Sequence, residues 1–109
     1  MASPIAITIR FAVAEGRADA AGRACASLID AMRSTPGVSA HIHGHDGTRL
    51  DLVLAIDDQA AVDRHLAAHG PLYAIFEDVA RVALIRVKGA VDPQTIAVLK
   101  RLTDHVEIA

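Results

Sequence analysis

The alternation of hydrophobic periods along these 109 residues predicts an α+β chain of ferredoxin-like type, β-α-β-β-α-β, with a four-stranded antiparallel sheet and an extra C-terminal helix. Three observations carry this reading. Residues Gly37 to Ile56 hold two runs with apolar residues at every second position around Asp46-Gly47, a strong hairpin signal. Two further alternating runs lie near the ends of the chain, and segments of helical spacing separate the runs.

Pro4 to Val13 is the first strand, with Ile5, Ile7, Ile9, Phe11 and Val13 opposing Ala6, Thr8, Arg10 and Ala12. From Arg17 to about Arg33, Ala21, Cys25, Leu28 and Met32 recur at helical spacing until Pro36-Gly37 ends the pattern. In the hairpin, Val38, Ala40 and Ile42 oppose Ser39, His41 and His43, while Leu50, Leu52, Leu54 and Ile56 oppose Asp51, Val53 and Ala55. Placing both aliphatic rows on one face makes His43 a neighbour of Asp51. It also requires an odd-length connection, such as Asp46-Gly47-Thr48 with Gly47 at positive φ.

Asp57 or Asp58 then caps a helix running to about Ala68, which Gly70-Pro71 terminates. Leu72 to Val79 reads as a second short helical segment begun by Pro71, and Val82 to Lys88 as the fourth strand. Asp92-Pro93 opens a terminal helix with Ile96, Leu99 and Leu102 on one side, and the tail Thr103 to Ala109 is ambiguous.

At this length one core is all the chain can build, so residues 1–109 form a single domain. The chain is 52% hydrophobic but only 3% aromatic, so its core is aliphatic. No apolar run reaches the roughly 18 residues of a membrane span, and the N-terminus lacks a secretory signal pattern, so a soluble cytoplasmic protein is expected. A net charge of −2 with interspersed signs argues against nucleic acid and membrane as partners. Cys25 is the only cysteine; it falls on the apolar face of the first helix and reads as a small buried hydrophobe.

Two helices on one side leave the other face of the sheet open. That face would hold Ala6, Thr8, Arg10, Ala12, Ser39, His41 and His43, with Asp51, Val53, Ala55, Val82, Leu84 and Arg86 from the other strands. The mixture is too apolar for a freely solvated surface and too polar for core, which suits a wall that is partly dimer interface and partly pocket. Arg10, mid-strand, needs Asp51, a ligand or a partner subunit to offset its loss of water.

The element order, the turn Pro36-Gly37-Val38 and the stretch DDQAAVDRHLAAHGPLY at 57 to 73 resemble the antibiotic biosynthesis monooxygenase family of the dimeric α/β barrel superfamily. The matching features are Pro36-Gly37 before strand two, the acidic start Asp57-Asp58 after strand three, and His65-Leu66 with His69 in the second helix, within a resemblance covering roughly residues 5 to 100. The resemblance implies a homodimer whose sheets pack face to face. It also implies a pocket between sheet and helices for a small aromatic or quinol-type molecule, to which oxygen is added without metal, flavin or haem. Such chemistry needs a proton acceptor and groups that hold the resulting anion. His41, His43, Arg10 and Arg86 are the catalytic candidates, and Thr8, Asp51, Val53, His65, Tyr73 and Phe76 the substrate-binding ones. Catalytic and haem-degrading relatives usually place a Trp, often with an Asn, in the pocket; this chain has neither, so haem degradation is not expected.

Two alternatives stay open. One is a non-catalytic ligand-binding or structural dimer module, for which Tyr73 and Phe76 simply pack on the sheet and His65 and His69 sit on a solvated helix end. The other is a metal site on the His41/His43 strand with Asp51, since imidazole suits zinc, copper or nickel. No metal or cofactor is expected in the leading reading.

Overall fold

The structure, a computed structural model, describes residues 4–69 and 79–108. In chain order the elements are β1 (Ile5–Val13), α1 (Ala18–Met32), β2 (Val38–His45), β3 (Arg49–Ile56), α2 (Gln59–His69), β4 (Ala80–Lys88), α3 (Pro93–Lys100) and β5 (Val106–Ile108). The sheet order is β2-β3-β1-β4-β5, the ferredoxin-like order extended by one strand. β1 to β4 pair antiparallel as expected. β5 pairs parallel with β4, so the ambiguous tail adds a fifth strand and the sheet is mixed rather than four-stranded.

Local chemistry explains the boundaries. Asp58, not Asp57, caps α2, its Oδ1 accepting from the Ala61 amide at 2.9 Å. Asp92 caps α3 in the same way, accepting from the Thr95 amide at 2.8 Å, with Pro93 in the first turn. The expected short helix at Leu72 to Val79, with Tyr73 and Phe76, lies outside the described residues apart from Val79, which is a buried turn residue.

The core lies between the sheet and the helices. Ile5, Ile7, Ile9 and Phe11 of β1 are at most 3% exposed, and the even-numbered leucines of β3 and Ile85 and Val87 of β4 complete the layer. Ala21, Cys25, Leu28 and Met32 of α1 press on it, as their spacing predicts. Burial pushes the Cys25 thiol up to about 11, which makes it an inert hydrophobe. The covering is incomplete at edge strand β2, where Ile42 stands opposite Leu52 yet remains 37% exposed.

Two β-bulges alter the expected register. β2 and β3 pair in step from Val38 opposite Ile56 to Ile42 opposite Leu52; then Gly44, not His43, stands opposite Asp51. The extra residue allows an even connection to satisfy both aliphatic rows. The Asp46 amide donates to the Arg49 carbonyl at 2.9 Å around a two-residue Gly47-Thr48 turn. Asp46 Oδ1 accepts from the amides of Thr48 and Arg49 and from the Thr48 hydroxyl. This side-chain-stabilised turn removes the need for a left-handed residue, and positive φ is confined, among the described residues, to Gly16, Gly37 and Gly89. On β4 a second shift places Leu84 opposite Arg10 but Val82 opposite Phe11. Val82 therefore packs against the core instead of lying on the open face, and Arg81, opposite Ala12, takes its place there.

Candidate functional site

A chamber of about 390 Å³ lies between the helix-side face of the sheet and helices α2 and α3. Ile7 and Leu54 form part of its floor, Val62 and His65 line it from α2, and Thr95 and Leu99 line it from α3. Val98 and Leu102, 36% and 40% exposed, stand on the same lining and mark where it meets solvent. Its volume is toward the low end of the range of small-ligand sites, and its lining has their usual character, mostly apolar with a few polar groups. A wider concavity of about 560 Å³ at the end of the sheet is a poorer candidate, because it is a shallow rim around Pro4, Asp57 and Lys88 rather than an enclosed space between layers.

The polar members of the chamber are set by the helices. His65 follows Ala61 and Val62 around the buried side of α2 and is 2% exposed. Thr95, 3% exposed, is in the first turn of α3 and is tied to α2 through Gln59. Gln59 Nε2 donates to Thr95 Oγ1 at 2.9 Å and to Asp63 Oδ1 at 3.0 Å, while its Oε1 accepts from the Asp92 amide at 2.8 Å.

The sequence-derived candidates divide between the two sides of the sheet. On the open face, cross-strand pairing makes one row of Gly44, Asp51, Arg10 and Leu84, and a second of His41, Val53, Thr8 and Arg86. Arg10 finds its expected partner, its Nε donating to Asp51 Oδ1 at 3.1 Å, and Arg49 Nε lies 3.7 Å from the other oxygen. Arg86 Nε instead reaches Glu107 Oε2 of β5 at 3.0 Å. None of these residues lines the chamber, because neighbours along a strand point to opposite faces. His65 is the one candidate that does, while Tyr73 and Phe76 fall outside the described residues. Val62, His65 and Leu66 do recur at helical spacing in the sequence, a signal that could have marked that wall; Thr95 carries none beyond its place three residues after a capping aspartate.

The three histidines of β2 separate as well. The rings of His41 and His43 stand edge to face with centroids 6.4 Å apart. Beyond the bulge His45 turns to the helix side, where its Cε1 would be 3.0 Å from a Cβ placed on Gly22. No group of three histidine, cysteine or acidic side chains suited to a metal ion gathers among the described residues. No helix among them is long and apolar enough to cross a membrane.

The layered arrangement defines a ferredoxin-like α+β protein of the antibiotic biosynthesis monooxygenase fold type, with the chamber between sheet and helices as its candidate site. No family model and no curated protein matches the sequence. Solved structures do match the fold. MupZ from Pseudomonas fluorescens aligns over 100% of this chain and 87% of its own with a TM-score of 0.76 at 17% identity. SnoaB from Streptomyces nogalater, a cofactor-independent oxygenase solved as a mutant form, aligns over 82% of this chain and 94% of its own with a TM-score of 0.70, also at 17% identity. A proposed antibiotic biosynthesis monooxygenase from Chloroflexus aurantiacus aligns over 83% and 95% with a TM-score of 0.64 at 16% identity. At these identities the likeness is one of fold.

Proposed function

We propose that this chain works as a homodimer that takes a small aromatic or quinol-type molecule into the chamber and oxygenates it without metal or organic cofactor. The observation that carries the reading is the apolar chamber of about 390 Å³ in which His65 is the one ionisable side chain among the described residues. An electron-rich phenol loses a proton to the imidazole, and the resulting anion is the species that reacts with oxygen. For a ring methylene beside a phenol the reaction balances as CH2 plus O2 giving C=O plus H2O, with the substrate supplying all the electrons. The apolar walls keep bulk water from the anion.

The open face supports the dimer. Ala6, Val53, Ala55 and Leu84 interrupt its charges, and a second copy laid over it would remove them from water. Its rows carry the basic side chains Arg10, Arg49, Arg81, Arg86 and Lys88 against the acids Asp51 and Glu107. Like-charged faces repel less as salt screens them, so self-association strengthens with ionic strength.

The position of Arg10, Arg86, His41 and His43 outside the chamber favours a second reading, ligand binding without chemistry. Oxygen uptake with a panel of anthrols and quinols, together with light scattering for the dimer, separates the two. Uptake above the buffer rate that is lost in His65→Gln supports the oxygenase. Compounds that shift the chamber amides yet consume no oxygen leave only binding, and compounds that do neither remove both readings.

A further inference from the structure

We infer that the Thr95 hydroxyl is a hydrogen-bond donor aimed at the ligand, so that the chamber selects ring compounds with an acceptor oxygen, a ketone, quinone or phenolate, over the corresponding hydrocarbons. This inference rests on the chamber being a ligand site.

The Thr95 backbone amide is consumed by Asp92 Oδ1 at 2.8 Å. Its Oγ1 accepts from Gln59 Nε2 at 2.9 Å. The direction of that bond is fixed by the other end of the glutamine: Oε1 must face the Asp92 amide, 2.8 Å away, because that group can only donate. Both hydrogens of Nε2 are then used, one on Thr95 and one on Asp63 Oδ1 at 3.0 Å. Since Oγ1 is already the acceptor from Gln59, its own proton must go elsewhere, and no other hydrogen bond of this hydroxyl occurs among the described residues. Thr95 is 3% exposed and lines the chamber, so the open direction for the proton is toward the occupant. A buried donor left without an acceptor is unfavourable, which is how a hydroxyl in an otherwise apolar wall turns into selectivity. Gln59 is a positioning residue: it does not line the chamber but determines which way the hydroxyl points its hydrogen.

The test compares 1-tetralone with tetralin, which share a ring skeleton and differ by one carbonyl oxygen, with binding followed by amide chemical shifts in the native protein. The wild type is expected to prefer the ketone by about fivefold, the factor of one ordinary hydrogen bond. Thr95→Val removes the hydroxyl at nearly constant shape and brings the ratio to within about twofold, whereas Thr95→Ser retains it. Gln59→Glu combined with Asp63→Asn, whose amide can donate to the new carboxylate where Gln59 donated to Asp63, replaces the donor facing Thr95 by an acceptor, so the hydroxyl turns toward Glu and the preference falls although Thr95 is intact. An unchanged ketone preference in Thr95→Val overturns the role of Thr95 and leaves the chamber standing as a ligand site. Failure of both compounds to shift any chamber amide in the wild type overturns the chamber reading, and the role of Thr95 with it.

Discussion

Replacing Arg10 by methionine should destabilise the protein more than replacing its partner Asp51 by asparagine, because the two are unequally buried. The Asp51 side chain is 6% exposed, while those of Arg10 and Arg49 are 37% and 50% exposed. In the monomer of Asp51→Asn both guanidinium groups can reach water, and the loss is about 1 kcal/mol, a charge-assisted bond discounted for solvent screening. Arg10→Met instead leaves a buried carboxylate with Arg49 Nε at 3.7 Å as its remaining cation, too far for a good hydrogen bond. A loss of about 2–3 kcal/mol follows, still below the full figure for a stranded charge because Arg49 is near. For a domain of this size each kcal/mol is worth about 4 °C, so melting should drop about 4 °C in Asp51→Asn and about 8–12 °C in Arg10→Met. Thermal unfolding measures both, at one protein concentration low enough to keep the chain monomeric, because dimerisation covers this face and would shift the midpoint. The double variant should lie near Asp51→Asn alone, since no carboxylate then remains to be stranded. A larger loss in Asp51→Asn than in Arg10→Met, or strict additivity in the double variant, would show that the carboxylate is not the more deeply buried partner of this ion pair.

Further outcomes are expected at three positions, Cys25, Gly89 and Asp46. Cys25 should resist thiol reagents in the native protein at about pH 8 and react at the rate of unfolding, since burial pushes its thiol up to about 11 from 9.0. Because the folded state disfavours the thiolate, stability from this group is present below pH 9.0 and is lost as pH rises toward about 11; Cys25→Ala should remove that part of the alkaline slope in urea titrations. Gly89→Ala should cost about 2–3 kcal/mol by thermal unfolding, because a Cβ there, at φ +108°, would lie 2.7 Å from the Pro4 carbonyl oxygen. The Thr48 amide, its hydroxyl and the Arg49 amide hold the Asp46 carboxyl below its ordinary value of 3.8. The turn's contribution is therefore present at neutral pH and lost as pH falls through that lowered value, which the amide shifts of Thr48 and Arg49 should report with a midpoint below 3.8.

The alternation of Ile5 to Val13 and Leu50 to Ile56, the spacing of Ala21, Cys25, Leu28 and Met32, and the Asp92-Pro93 start of α3 determined the elements and their core faces. These are local signals: period two and period 3.6 express how a backbone projects side chains, and a cap needs only the next three residues. The tertiary structure decided what came together. Bulges at His43 and Ala83 moved Val82 to the core, brought Arg81 to the open face and set Gly44 opposite Asp51. A three-residue tail became a strand only because the β4 edge was there to pair with it. The chamber joins side chains from β1, β3, α2 and α3, and its Thr95 hydroxyl is oriented by Gln59, 36 positions earlier in the chain. Pairing register and helix docking are set by contacts between distant segments, and no periodicity within one segment encodes them.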